Sequence, residues 1–244
     1  MKALLAQTRA EVTMTLRRGE TLLLTLGIPL LLLVFFSEVR ILPTPGIASV
    51  DLVTPGILAL AIMSTSMVSL GIATGFERGY GVLERLGVTP LGRGRLLAAK
   101  MLAIVAIEVL QALCIVAVGL LLGWHPTGGL TGGLVAAAAC LLGSVAFGGL
   151  GLAMAGRLRA EVNLAAANGL YLVLLLLGGM VVPLKSLPVG IRSVAEVLPA
   201  AALSSTLHEA IGPVSGYTGC WIVLVVWGLG APLLAVATFR FRGD

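Results

Sequence analysis

Charge is what this chain has least of. Asp, Glu, Lys and Arg make up 11% of its 244 residues, whereas a soluble domain carries roughly 25%. A chain so poor in charge and 58% hydrophobic takes lipid as its solvent. Histidine is almost missing: His125 and His208 stand alone, which leaves a metal site without ligands at any usual spacing. The three cysteines, Cys114, Cys140 and Cys220, include no C-x-x-C pair, and each falls inside an apolar run. They read as small buried hydrophobes. No G-x-x-x-x-G-K-[ST] string occurs, so the sequence has no loop of the kind that cradles nucleotide phosphates. The net charge of +5 forms no basic stripe; Lys and Arg flank apolar runs instead, which argues against nucleic acid.

What is present is a series of long apolar runs. A helix needs ~20 apolar residues to cross a bilayer core, and six candidates appear: Thr21–Phe36, Pro55–Gly75, Met101–Gly123, Leu130–Ala155, Leu164–Val182 and Gly219–Phe239. With the N-terminus inside, thirteen of the sixteen Lys and Arg fall in inside segments. Arg40, Lys185 and Arg192 remain outside. That bias predicts both termini in the cytoplasm. No repeat or low-complexity linker divides the chain, so residues 1–244 read as one all-α polytopic membrane domain.

Met1 to Glu20 predicts an amphipathic interfacial helix, with Leu4, Leu5, Val12 and Leu16 toward lipid and Arg9, Arg17 and Arg18 toward phosphates. A cleaved signal peptide is the rival reading, but Ser37-Glu38-Val39-Arg40 offers no A-x-A site, which favours an uncleaved first span. Phe76 to Lys100 holds five basic residues and the acids Glu77 and Glu84, so it stays out of hydrocarbon. Within it, Gly81 to Leu86 predicts a short helix with Val82, Leu83 and Leu86 on one side, ended by Thr89-Pro90. Pro183 to Gly216 is too polar and too broken by proline to cross straight. It predicts two short re-entrant or interfacial helices on the outer side, near Gly190–Val197 and Ala201–Ile211. Trp124-His125-Pro126 marks the outer interface.

Polar residues inside spans are few. Ser64, Thr65, Ser66 and Ser69 form a cluster in span 2, with Ser66 and Ser69 on one face at i,i+3. They either line a substrate path or bond to helix backbone. Glu108 lies about 12 Å beyond Lys100 along span 3. An ionisable group there is a functional candidate; the alternative is a structural pair with Gln111 or a basic group. Gly149/Ala153 and Gly151/Ala155 are small-xxx-small pairs that let span 4 approach its neighbours closely.

This layout resembles the membrane subunits of ABC-2 type transporters, the six-span permeases of bacterial exporters. Three features carry the resemblance: the N-terminal amphipathic piece before span 1; Glu77, Gly81, Leu83-Glu84-Arg85-Leu86 and Thr89-Pro90, similar to the family's coupling segment; and Val182-Pro183, Leu187-Pro188 and Leu198-Pro199, similar to its outer re-entrant segment. The glycines in Arg78-Gly79-Tyr80-Gly81 and Gly92-Arg93-Gly94 depart from the pattern and shorten the coupling helix.

The resemblance implies two permease subunits, identical or different, in the bacterial cytoplasmic membrane. It implies separate ATPase subunits that hold ATP and Mg and dock on Glu77, Leu83, Glu84, Arg85 and Leu86, with no cofactor in this chain. It implies outward transport of a lipophilic drug-like molecule, a lipid or a glycan along a path between subunits. Ser66, Ser69, Glu108 and Asn168 are the candidate pathway residues. A passive channel or ion-coupled transporter, and a structural subunit that moves nothing, are the alternatives. An intramembrane hydrolase has little to stand on, because Gly212-Pro213-Val214-Ser215-Gly216 is not G-x-S-x-G.

Overall fold

The computed structural model describes residues 2–17, 19–39, 48–87, 92–180, 184–214 and 216–240. Among them every regular element is helical. Arg18, Arg40, Thr89-Pro90, Val182-Pro183 and Ser215, all used in the sequence reading, lie outside the described residues.

Helix α1, Lys2–Arg17, is followed by α2, Gly19–Glu38. The two are bent 68° from one another, so Glu20 belongs to the second helix and not the first. Helix α3, Ser49–Met63, passes through a π-helical segment, Ser64–Ser69, into α4, Leu70–Gly79. The whole run from Ser49 to Gly79 is one 31-residue stretch, about 46 Å long at the usual rise. Next come the short α5, Val82–Gly87, then α6, Arg93–Leu121, α7, Gly129–Ala155, and α8, Ala160–Leu177. A 3₁₀ turn at Leu184–Ser186 leads to α9, Val189–Ala195, α10, Pro199–Ile211, and α11, Cys220–Thr238.

Five of these stretches are long and apolar enough to cross a membrane, and the bent pair α1–α2 raises the number to as many as six. Several boundaries differ from the sequence reading. The charged stretch from Phe76 to Lys100 is largely helical: α4 runs on to Gly79, and α6 already begins at Arg93. Only α5 is a separate piece between them, because Gly81 and Gly92 adopt φ of +71° and +70° and break the helices on either side. Span 5 was expected at Leu164–Val182. Helix α8 instead starts at Ala160, one residue past Arg159, and stops at Leu177, where Gly179 turns the chain with φ of +67°.

α7 is the hub. Its glycines admit neighbours from three sides: a Cβ on Gly151 would lie 2.6 Å from the Met67 carbonyl oxygen, one on Gly149 2.5 Å from the Pro232 nitrogen, and one on Gly143 2.8 Å from Leu203. Gly149 and Gly151, from the small-residue pairs of span 4, are thus contact points for α11 and the π segment, and Gly143 is one for α10. The α10 helix, expected near Ala201–Ile211 as a re-entrant or interfacial piece, packs inward: Ala200, Ala201, Ala202, Leu203 and Leu207 are fully buried. Pro199 suits its first turn, and two of its hydroxyls are bonded: Ser204 to the Gly179 carbonyl at 3.1 Å, Thr206 to that of Leu203 at 2.9 Å.

Two apolar cores result. The larger gathers Ile57, Ile62, Met67, Phe147 and Leu203, among others. The smaller packs Leu83 of α5 with Leu96, Leu97, Leu152 and Phe239. The molecule thus has a Lys100 end, where α5 sits, and a Trp124 end opposite. Trp124 is not a ring facing lipid. It is buried, in contact with Gly119.

Candidate functional site

The polar residues of the spans converge at one level. The π segment widens the turn there, which changes the register of the serine cluster. Thr65 and Ser66, adjacent in sequence, both reach α6. Thr65 donates to Gln111 Oε1 at 3.1 Å, and Ser66 bonds Glu108 Oε1. Glu108 Oε2 bonds Ser144 of α7. All four side chains of this set other than Ser144 come from positions singled out in the sequence, and all are buried, as is Ser144. Ser69 is half-buried and takes no part, because the i,i+3 relation to Ser66 holds for an α-helix and not for the wider π turn.

A structural pair of Glu108 with Gln111 was one alternative to a functional role. They share a face of α6, yet each goes elsewhere. Gln111 Nε2 donates to the carbonyl of Thr25 in α2 at 2.6 Å. Pro29 has no N–H to offer that carbonyl four residues back, so the glutamine fills a gap that the proline creates.

Ser144 has a single hydroxyl proton and two acceptors in reach, Glu108 Oε2 and the Cys140 carbonyl at 2.9 Å. With Glu108 ionised, Ser66 and Ser144 both donate to it. With Glu108 protonated, Glu108 donates to Ser144, which turns to Cys140. The cluster is complete in either state. No ion pair to Glu108 forms among the described residues. Glu108 and Ser144 also form the polar end of a cleft of about 510 Å³ between α6 and α7.

Asn168 is not brought to this cluster. It lies exposed on α8 and donates to its own helix, to Leu164 O at 2.8 Å. Asn163, one turn earlier in that helix, is the buried one, donating to the Gly71 carbonyl at 2.8 Å.

The Lys100 end carries the second constellation. Lys100 is buried and bridges two acids, Glu11 of α1 at 3.0 Å and Glu77 of α4 at 2.5 Å. Glu77 therefore belongs to a clamp on the end of α4, not to the separate short helix. Arg78 is buried as well and grips the turn between α7 and α8, with Nη1 on the Gly156 carbonyl at 2.7 Å and Nη2 on that of Leu158 at 2.6 Å. On α5 itself Leu83 is fully buried, Leu86 is half-buried, and Glu84 and Arg85 are exposed. Sequence reasoning missed the roles of Arg78 and Ser144. An arginine at a span end reads as a topology signal, and a serine among glycines and alanines reads as packing.

Comparison with known proteins gives a family and a relative. The model of the family described as "ABC-2 type transporter" matches residues 2–210. A Bacillus subtilis (strain 168) protein named "Putative transport permease YvfS" is 26% identical over 215 residues, which cover 86% of this chain and 86% of that one.

Proposed function

The chain belongs to the ABC-2 type transporter family, and on that premise we propose that it is the membrane subunit of an ATP-driven exporter whose motor is a separate ATPase. The chain is a multi-pass membrane protein and a transport permease. The finer reading is that α5 is the coupling helix on which the ATPase docks. Its buried Leu83 anchors it in the smaller core, while Glu84 and Arg85 point free. That arrangement, a short helix rooted by one leucine and flanked by the Lys100 and Arg78 clamps, is the observation that carries the proposal. A knob so held transmits force in place of flexing.

The remaining assignments follow from the same premise. The Lys100 end faces the cytoplasm of a bacterial cell, in keeping with the charge bias, and both termini lie on that side. ATP and Mg bind the partner ATPase and not this chain. A second permease subunit, identical or different, completes the pathway. Ser66, Ser69 and Glu108 belong to that pathway, and Asn168, exposed on α8, is available to the second subunit. Cargo leaves outward and is a lipophilic small molecule, a lipid or a glycan.

The test is capture of the partner. Permease purified from cells that express its ATPase should bring the ATPase with it. Glu84→Ala with Arg85→Ala should abolish that while the permease remains folded by thermal melting. An undiminished complex in the double variant would refute the docking role of α5.

A further inference from the structure

We infer that the cleft between α6 and α7 is a lateral binding site for an amphiphilic cation, a single protonated amine on an alkyl or aryl body, with Glu108 as its counter-ion. The inference rests on the export reading, since it names the cargo class of that permease.

Size comes first. A volume of about 510 Å³ suits one drug-sized molecule. The walls are nearly all apolar, with Val109 and Leu113 from α6, Leu141 from α7, and Trp124 at the far end. Val109, Leu113 and Leu141 are also exposed, so the cleft opens sideways from the chain, and on the export reading that side meets lipid. A molecule dissolved in the bilayer enters without crossing water. From Glu108 to Leu120, both on the lining, α6 runs about 18 Å. The site is long and narrow, with its polar groups at one end.

The polar end decides the charge. Among the described residues no Lys, Arg or His lies on the lining, and the partners of Glu108 are hydroxyls, those of Ser66 and Ser144. An acid at that depth calls for a partner, and the described residues supply none that is positive. The serines make the ionised state available on demand. When the neutral amine arrives from the bilayer, its nitrogen takes the carboxyl proton, Ser144 turns from the Cys140 carbonyl to the carboxylate, and the ammonium so formed stays paired with Glu108. A neutral alcohol of the same length gains none of this.

The probe is 12-bromododecylamine, added to the full-length permease in phosphatidylcholine liposomes without ATPase or nucleotide. With Trp221 and Trp227 replaced by Phe, Trp124 reports. An amine seated at Glu108 places the bromine toward Trp124, which bromine quenches. We expect saturable quenching, reversed by plain dodecylamine, at a concentration at least tenfold below that required by 12-bromododecanol. Glu108→Gln should bring the amine to the level of the alcohol. Gly133→Leu should abolish saturation without touching Glu108; a Cβ at Gly133, on the lining, meets nothing within 4 Å, so the leucine enters the cleft and spares the fold.

Equal quenching by amine and alcohol, or a preference for amine that survives Glu108→Gln, overturns the inference. So does saturation undisturbed in Gly133→Leu. Because no motor takes part, loss of binding leaves the ATPase-capture test standing, and binding without export counts against the export reading alone.

Discussion

Gln111 of α6 donates to the carbonyl of Thr25 in α2 at 2.6 Å, the carbonyl that Pro29 leaves without a helical donor. The same side chain accepts from Thr65 at 3.1 Å. One amide thus ties three helices at a level where water does not reach.

Replacing Gln111 by Leu strands both partners. An unsatisfied buried group costs about 1–3 kcal/mol, so Gln111→Leu should lower the melting midpoint in detergent clearly. Gln111→Glu, which keeps the acceptor for Thr65 and loses the donor to Thr25, should fall between. A Leu variant that melts with the parent would show that the amide carries no weight.

Lys100 joins Glu11 to Glu77 with its own side chain almost sealed from solvent. Lys100→Met should cost about 1–3 kcal/mol, less than for a fully buried pair because both acids keep some solvent. The loss should be local to α1. Amide hydrogen exchange should quicken there, while α7 stays protected. Uniform exchange across the chain would contradict the clamp.

The glycines differ by position. At Gly71 a Cβ would stand 3.1 Å from the Gly151 Cα, backbone that cannot step aside. Gly71→Val should therefore cost about 1–3 kcal/mol by overpacking. Gly94, in the first turn of α6, has open space around it. Gly94→Ala should raise stability by up to about 1 kcal/mol, since alanine favours helix. Thermal melting of the two variants, side by side, checks both signs.

His208 on α10 has Nδ1 2.7 Å from the Ser204 carbonyl and Nε2 3.0 Å from that of Leu52. Burial pulls its pKa below the usual histidine range, and the two backbone bonds offset part of that. A base with a lowered folded pKa takes up fewer protons folded than unfolded. Stability is thus full above the unfolded pKa of about 6.5, and it declines as pH falls from there toward the folded value. Melting midpoints should drop between pH 7 and pH 5, and His208→Gln should flatten that slope. A midpoint independent of pH in the parent would contradict the assignment.

Much of the fold was legible because lipid leaves so few options. Spans 4 and 6 are apolar from end to end, and the helices match the expected ranges within a residue. Spans 2 and 3 were read too short for a physical reason. Arg78 and Lys100 look like chain leaving the membrane, but each finds acceptors that let the helix carry on. For α10 a re-entrant and an interfacial placement both stayed open, because Ser204, Ser205, Thr206 and His208 are polar. The hydrogen-bonding groups of Ser204, Thr206 and His208 turn to nearby carbonyls, and the alanines around them pack tightly. In the site, Glu108 was visible as a lone acid in an apolar run. Ser144 was not, since only folding brings α7 against α6. The widened turn at Ser64–Ser69 was equally hidden; nothing in S-T-S-M-V-S announces a π helix.

Arg78 sits just before α5 and holds the Gly156 and Leu158 carbonyls of the other turn at the same end. The two turns are thereby yoked. A pull on either is shared at once by the root of α8, without passing through the bilayer portion of the molecule. On the coupling proposed above, a single handhold at this end reaches both turns together.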